Sequence, residues 1–275
     1  MASLYISTQT YAEFQEQVSE TWDLDPEYTL RDVEYIGGRW TGVFTDNNVD
    51  QVNAYNETAD FATLRLEIRE RWDEGKGYNL IDIDYIDDKW IAVFDNSSPL
   101  TTGYDISADL DEFAVDVRDR WDEGYGGLTN VEYANGYWFS IFDRGIENSS
   151  YRITDSLTGL EEVIQTQEEE GFDLVGVEYA EETWVGVFND SLASTSAYSI
   201  TSDRGEFNQD LAEFTEAGYD LIDFERVDKQ WIGVYEKTNS DLAELERTDA
   251  LGREANQIII DYTPAINIPT PGSYF

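Results

Sequence analysis

Five times along the chain a tryptophan opens a short hydrophobic run: WTGVF at Trp40, WIAVF at Trp90, WFSIF at Trp138, WVGVF at Trp184 and WIGVY at Trp231. The spacings of 50, 48, 46 and 47 residues are too regular for chance and mark an internal repeat. Within each run Trp, a small residue (Gly42, Ala92, Ser140, Gly186 or Gly233) and Phe or Tyr fall on one side of a period-two pattern, and mostly Val or Ile fall on the other. A strand apolar on both sides predicts burial of both faces. Just upstream stand LRDVEY, LIDIDY, LTNVEY, LVGVEY and LIDFER, each ending five residues before its Trp at Tyr35, Tyr85, Tyr133, Tyr179 or, as the one departure, Arg226. The short linkers, such as IGG and IDD, are turn sequences, so each pair of runs predicts a β-hairpin.

Before each hairpin the period changes. Phe61, Leu64, Ile68 and Trp72, or Phe113, Val117 and Trp121, recur at helical spacing. Gly75, Gly124, Gly171 and Gly218 then stand where a left-handed residue ends a helix, while the first repeat ends its helix at Asp25-Pro26. Ahead of the helices lie LYIS, YNET, YDIS, YRIT and YSIT, short strand-like stretches followed by an Asp, Ser or Thr able to cap. The predicted fold class is therefore α+β, five tandem strand-helix-strand-strand units over residues 1–48, 49–98, 99–144, 145–193 and 194–240, with a helix and Pro-spaced tail over 241–275. One unit cannot bury its Trp and Phe faces alone, so copies pack side by side. The small-residue column allows close approach, and the end repeats resemble the middle ones, which favours a closed five-bladed propeller-like ring over an open solenoid.

The stretches GYNLIDIDYIDDKWIAVF and GYDLIDFERVDKQWIGVYEK resemble the bacterial tandem repeat family, which builds the N-terminal half of polyglycine hydrolases. The resemblance covers residues 1 to about 240 and implies a propeller-like arrangement with a helix in each unit. In those hydrolases the catalytic serine sits in a separate β-lactamase-like domain. This chain contains no Ser-x-x-Lys, so the resemblance implies recognition of protein or glycan and carries no hydrolase activity.

Charge narrows the list of partners. With 17 Lys plus Arg against 59 Asp plus Glu the formal net charge is −42, a field that repels phosphate backbones and anionic lipid heads. Neither nucleic acid nor membrane insertion is expected. The absence of Cys and His removes disulfides, thiol nucleophiles and the commonest general base, and the expectation is a protein that is not an enzyme. With no basic-then-apolar leader in the N-terminal residues, the default expectation is cytoplasmic, and an extracellular setting is left open.

Three constellations carry candidate chemistry. Glu34, Asp84, Glu132, Glu178 and Glu225 occupy one aligned position, and Asp32, Asp82, Asn130 and Asp223 share their strand face. In a ring these acids form a five-fold belt able to gather a hard cation such as calcium; on a half-exposed strand they simply face solvent, the plainer reading. The helices of repeats two and three carry Arg65, Arg69, Arg71, Arg118 and Arg120 among acids, either a solvated ion-paired face or a docking patch for an acidic partner. The tail exposes Ile258, Ile259, Ile260, Tyr262, Ile266, Ile268, Tyr274 and Phe275 between prolines, a run suited to lying along a partner or along its own scaffold. The function expected is a non-catalytic scaffold or adaptor that binds a protein partner or larger assembly, with no cofactor or with calcium alone. The alternative is a lectin-like, calcium-dependent glycan-binding module. Lectin pockets recur from copy to copy, whereas the loops here (TDNNVDQVN, DNSSPLTTG, DRGIENS, NDSLASTS) differ.

Overall fold

A computed structural model describes residues 4–24, 28–46, 54–73, 77–96, 102–190 and 194–238. Five units follow one another. The first is β1 (Leu4–Thr8), α1 (Tyr11–Leu24), β2 (Tyr28–Ile36) and β3 (Arg39–Asp46); the second is β4 (Ala54–Thr58), α2 (Phe61–Asp73), β5 (Asn79–Ile86) and β6 (Lys89–Asp95). The third is β7 (Thr102–Ser107), α3 (Leu110–Asp122), β8 (Gly127–Ala134) and β9 (Tyr137–Asp143). The fourth is β10 (Ser149–Thr154), α4 (Leu157–Glu170), β11 (Asp173–Ala180) and β12 (Thr183–Asn189). The fifth is β13 (Ser194–Thr201), α5 (Arg204–Glu216), β14 (Asp220–Val227) and β15 (Gln230–Thr238). Each unit forms its own three-stranded antiparallel sheet in which the Trp-bearing last strand lies between the other two, as in the order β1-β3-β2.

Local sequence explains these elements. The Asp109 and Ser156 side chains accept from the N–H groups of Glu112 and Gly159, capping α3 and α4, and the Ala108 N–H, one residue before the cap, donates to Glu112 Oε2. Gly124, Gly171 and Gly218 adopt φ of 90°, 89° and 86°, the left-handed stop that the sequence predicts; Gly75 and Pro26 lie outside the described residues. In four units the Tyr that ends the inner strand packs on its Trp, with ring centroids 4.7 to 5.7 Å apart. In the fifth, Arg226 takes that place, its guanidinium 5.3 Å from the Trp231 ring centroid, so a cation–π contact replaces an aromatic pair.

The hairpins turn on two residues with positive φ, the geometry that suits the right-handed strand twist. Gly37-Gly38 and Asn135-Gly136 meet it at little cost, but Glu181 and Glu182 are held at 52° and 63°, where side chains crowd the backbone. Replacing exposed Glu182 by Gly should therefore raise stability by about 1 kcal/mol, read as a higher urea midpoint with an unchanged slope.

Packing between units follows from the two-faced strand. The Trp-small-Phe face takes the unit's own helix, and the Val/Ile face of the next unit closes over it. Phe14, Val18, Trp40 and Phe44 of unit one cluster with Ile86, Ile91 and Val93 of unit two. Leu64 and Trp90 cluster with Phe139 and Ile141, Phe113 and Trp138 with Val185 and Val187, and Leu160 and Trp184 with Ile232 and Val234. A fifth cluster joins Phe207, Phe224 and Trp231 of unit five to Ile36 and Val43 of unit one. The small column is needed for this fit: a Cβ on Gly42 would stand 3.0 Å from Phe14 and 3.2 Å from Leu30.

Candidate functional site

The strands β2, β5, β8, β11 and β14 form one edge of each sheet and meet one another: each packs on the next, and β14 packs on β2 and β3. Every one of them contains a β-bulge at the same place, between Leu30 and Asp32, Leu80 and Asp82, Leu128 and Asn130, Leu174 and Gly176, and Leu221 and Asp223. The extra residue shifts the alternation. Leu30 and Val33, three apart, both enter the core opposite Phe44 and Gly42, and Asp32 and Glu34 both turn to the other face.

That face is enclosed. Asp32, Asp82, Glu132 and Glu178 are only 5%, 1%, 6% and 7% exposed, and Glu34, Asp84, Asp223 and Glu225 are half-buried beside them. The solvent-facing alternative therefore does not hold for Asp32, Asp82, Glu132 and Glu178. The bulge is what the sequence pattern concealed, and its signal was the Leu-x-x-Val, Ile or Phe spacing of three inside a strand, repeated five times.

The acids lean on the preceding unit's backbone. The Val33 N–H donates to Asp82 Oδ2 at 3.1 Å, and the Val177 N–H donates to Asp223 Oδ2 at 2.6 Å. Asn130, which replaces an acid in unit three, donates to the Ile81 carbonyl at 3.2 Å and to Glu132 Oε1 at 2.9 Å. Asp32 Oδ2 is left buried with no hydrogen-bond partner, as are Asp82 Oδ1 and Asp84 Oδ2.

Burial and mutual repulsion hold protons on this cluster. Asp82 and Asp223 are pushed up to about 7 and Glu225 to about 8, in each case chiefly by desolvation. Asp32, Glu34, Asp84, Glu132 and Glu178 are raised well above the carboxylate range by burial first and by one another's charge second. Glu178 is raised further by the neighbouring Glu225 carboxyl. Among the described residues the ion pairs join Arg31 to Asp95, Lys89 to Glu57, Arg120 to Asp105 and Glu123, and Arg152 to Glu170, and none takes an acid of this cluster.

A cavity of about 200 Å³ opens at one end of the cluster, lined among others by Asp32, Asn130 and Asp223 and by Arg31, Asp95 and Asp143. Burial pushes Asp143 up to about 6. Among the described residues no three carboxylates converge closely enough to hold a bare metal ion as they stand.

The other sequence-derived candidates disperse. Arg120 is buried against Asp105, with Nη2 to Oδ1 at 2.8 Å, and Arg71 bonds Asn56 at 2.9 Å while lying over Tyr78. Arg65 is half-buried beside Tyr104, whereas Arg69 and Arg118 are exposed. Ile258, Ile259, Ile260, Tyr262, Ile266, Ile268, Tyr274 and Phe275 lie outside the described residues, as does the helix expected after Asp241. Among the described residues no helix is long and apolar enough to cross a membrane. No known family and no curated protein matches the chain.

Proposed function

We propose that the chain is a closed, five-bladed propeller-like ring acting as a non-catalytic scaffold that docks a protein partner on the outer faces of α2 and α3. Closure is supported by the fifth apolar cluster, which gives five units five shared interfaces. The observation that carries the docking surface is a break in the repeat. Leu66 on α2 and Val115 on α3 occupy the same outward helix position and are 59% and 43% exposed. The equivalent residues of α1, α4 and α5 are Glu16, Glu162 and Gln209. Three residues on, the same two helices carry exposed Arg69 and Arg118, where the other three carry Ser19, Gln165 and Ala212. An apolar residue beside an arginine, repeated on neighbouring units and nowhere else in the repeat, suits a partner with apolar and acidic side chains.

The test compares capture and cross-linking by the full chain, by the double variant Leu66→Glu/Val115→Glu and by a chain ending at Lys237. We expect a defined partner, cross-linked to α2 and α3, to be lost with the double variant while the melting temperature is unchanged. Capture that survives the double variant and fails on truncation would move docking to the tail. Capture that survives both removes this reading.

A further inference from the structure

The cavity at the end of the acid cluster has chemistry that protein docking does not use. Its walls bring together Asp32, Asp223 and Asp143, with Asn130 and Thr129 as neutral oxygen groups, and Arg31 is already engaged by Asp95 at 2.8 Å. Asp32 is 5% exposed and its buried Oδ2 has no hydrogen-bond partner. A buried carboxylate oxygen without a partner costs free energy unless a cation or a proton supplies the missing interaction.

Unit four has Gly176 where the other units have Asp or Asn, and a Cβ there would crowd Asp223 Oδ2 at 3.3 Å and meet Asn130 Oδ1 at 3.5 Å.

We propose that this cavity binds one divalent metal cation that keeps its inner shell of water, a magnesium-like ion held through Asp32, Asp223 and Asn130. The water shell follows from two observations. No three carboxylates converge for direct ligation among the described residues, and about 200 Å³ accommodates roughly six waters at about 30 Å³ each. Calcium draws six to eight oxygens directly onto itself, whereas magnesium dehydrates reluctantly and keeps several of its waters, which carboxylate and amide groups can then bond. Such an ion balances charge between units one, three and five from inside the molecule.

The test is calorimetric titration of the metal-stripped full-length protein with MgCl2 and then CaCl2. It is run in about 1 M NaCl, where a Debye length of about 3 Å removes the diffuse attraction of so acidic a chain. We expect saturable binding of one Mg²⁺ per chain, weakened about tenfold or more by Asp32→Asn and unaffected by Asp111→Asn, an exposed acid on α3. No saturable binding at that salt, equal weakening by both variants, or undiminished binding by Asp32→Asn would overturn the site. Calcium binding far tighter than magnesium would overturn the retained water shell. If circular dichroism shows Asp32→Asn to be unfolded, Asp223→Asn, which lines the same cavity, takes its place with the same expected loss. Loss of partner capture leaves this result untouched, since the docking helices do not line the cavity.

Discussion

Acidifying the metal-free protein from about pH 8.5 to about pH 5 should raise its melting temperature by about 10 °C, the reverse of the usual acid response. The groups responsible are Asp32 and Glu34 on β2, Asp82 and Asp84 on β5, Glu132 on β8, Glu178 on β11, and Asp223 and Glu225 on β14, which face one another across the inner strands. Their folded-state values are raised, so the folded protein binds more protons than the unfolded chain between about pH 4 and pH 8. Stability from such groups is fully present below the unfolded value and is lost as pH rises through the folded one. For Asp82, raised from 3.8 to about 7, the linkage alone amounts to about 4 kcal/mol at alkaline pH. The eight do not add, because each proton bound relieves its neighbours. Exposed Asp60, lowered by its hydrogen bonds to Thr63, acts weakly in the opposite direction: its contribution is present above the ordinary Asp value and is lost as pH falls through its lowered one, below the range compared. Glu225→Gln should flatten the profile and raise stability at pH 8.5. A melting temperature that falls steadily from pH 8.5 to pH 5 would show that the cluster stays ionised and paid for by bound cations or solvent.

The same cluster marks the boundary of what the residues alone made legible. Repeat number, hairpins, helices, caps and glycine stops followed from local patterns, because each rests on interactions within a few residues. The two-sided burial of WTGVF and its relatives was legible too, since both alternating columns are apolar. The burial of the acids was not. Strict alternation along LRDVEY places Leu30, Asp32 and Glu34 on one face, a pattern that belongs to a half-exposed strand. Only the bulge separates Leu30 from Asp32, and only the neighbouring units turn the acidic face inward. In sequence the arginines of α2 and α3 allow either an ion-paired face or a docking patch, and the fold divides them between the two. Arg120 and Arg71 are spent on Asp105 and Asn56, and the exposed apolar pair Leu66 and Val115 became visible only once the outer helix faces were known.

Closure of the ring makes an equally large and more discriminating prediction. Val43, Val93, Ile141, Val187 and Val234 occupy one repeat position on the five central strands, and each is at most 1% exposed. Each lies in a cluster shared with the preceding unit, and for Val43 the preceding unit is the fifth. Replacing any one by Asp buries an unpaired carboxylate against aromatic side chains, at a cost of about 4 kcal/mol or more. In a closed ring all five substitutions should cost alike, because every unit has a neighbour on that side. In an open stack Val43 would form an end face, and Val43→Asp would be nearly neutral while the other four remain severe. Urea unfolding of the five single variants therefore separates the two architectures without reference to any ligand. Tyr5 sharpens the comparison: its ring lies 5.6 Å from Phe224 and 6.4 Å from Phe207, so Tyr5→Ala should lose a further aromatic pairing only if units one and five meet. Coupling between Tyr5→Ala and Phe224→Leu in a double-mutant cycle would place those rings in contact in solution, and additivity would leave the first and fifth units apart.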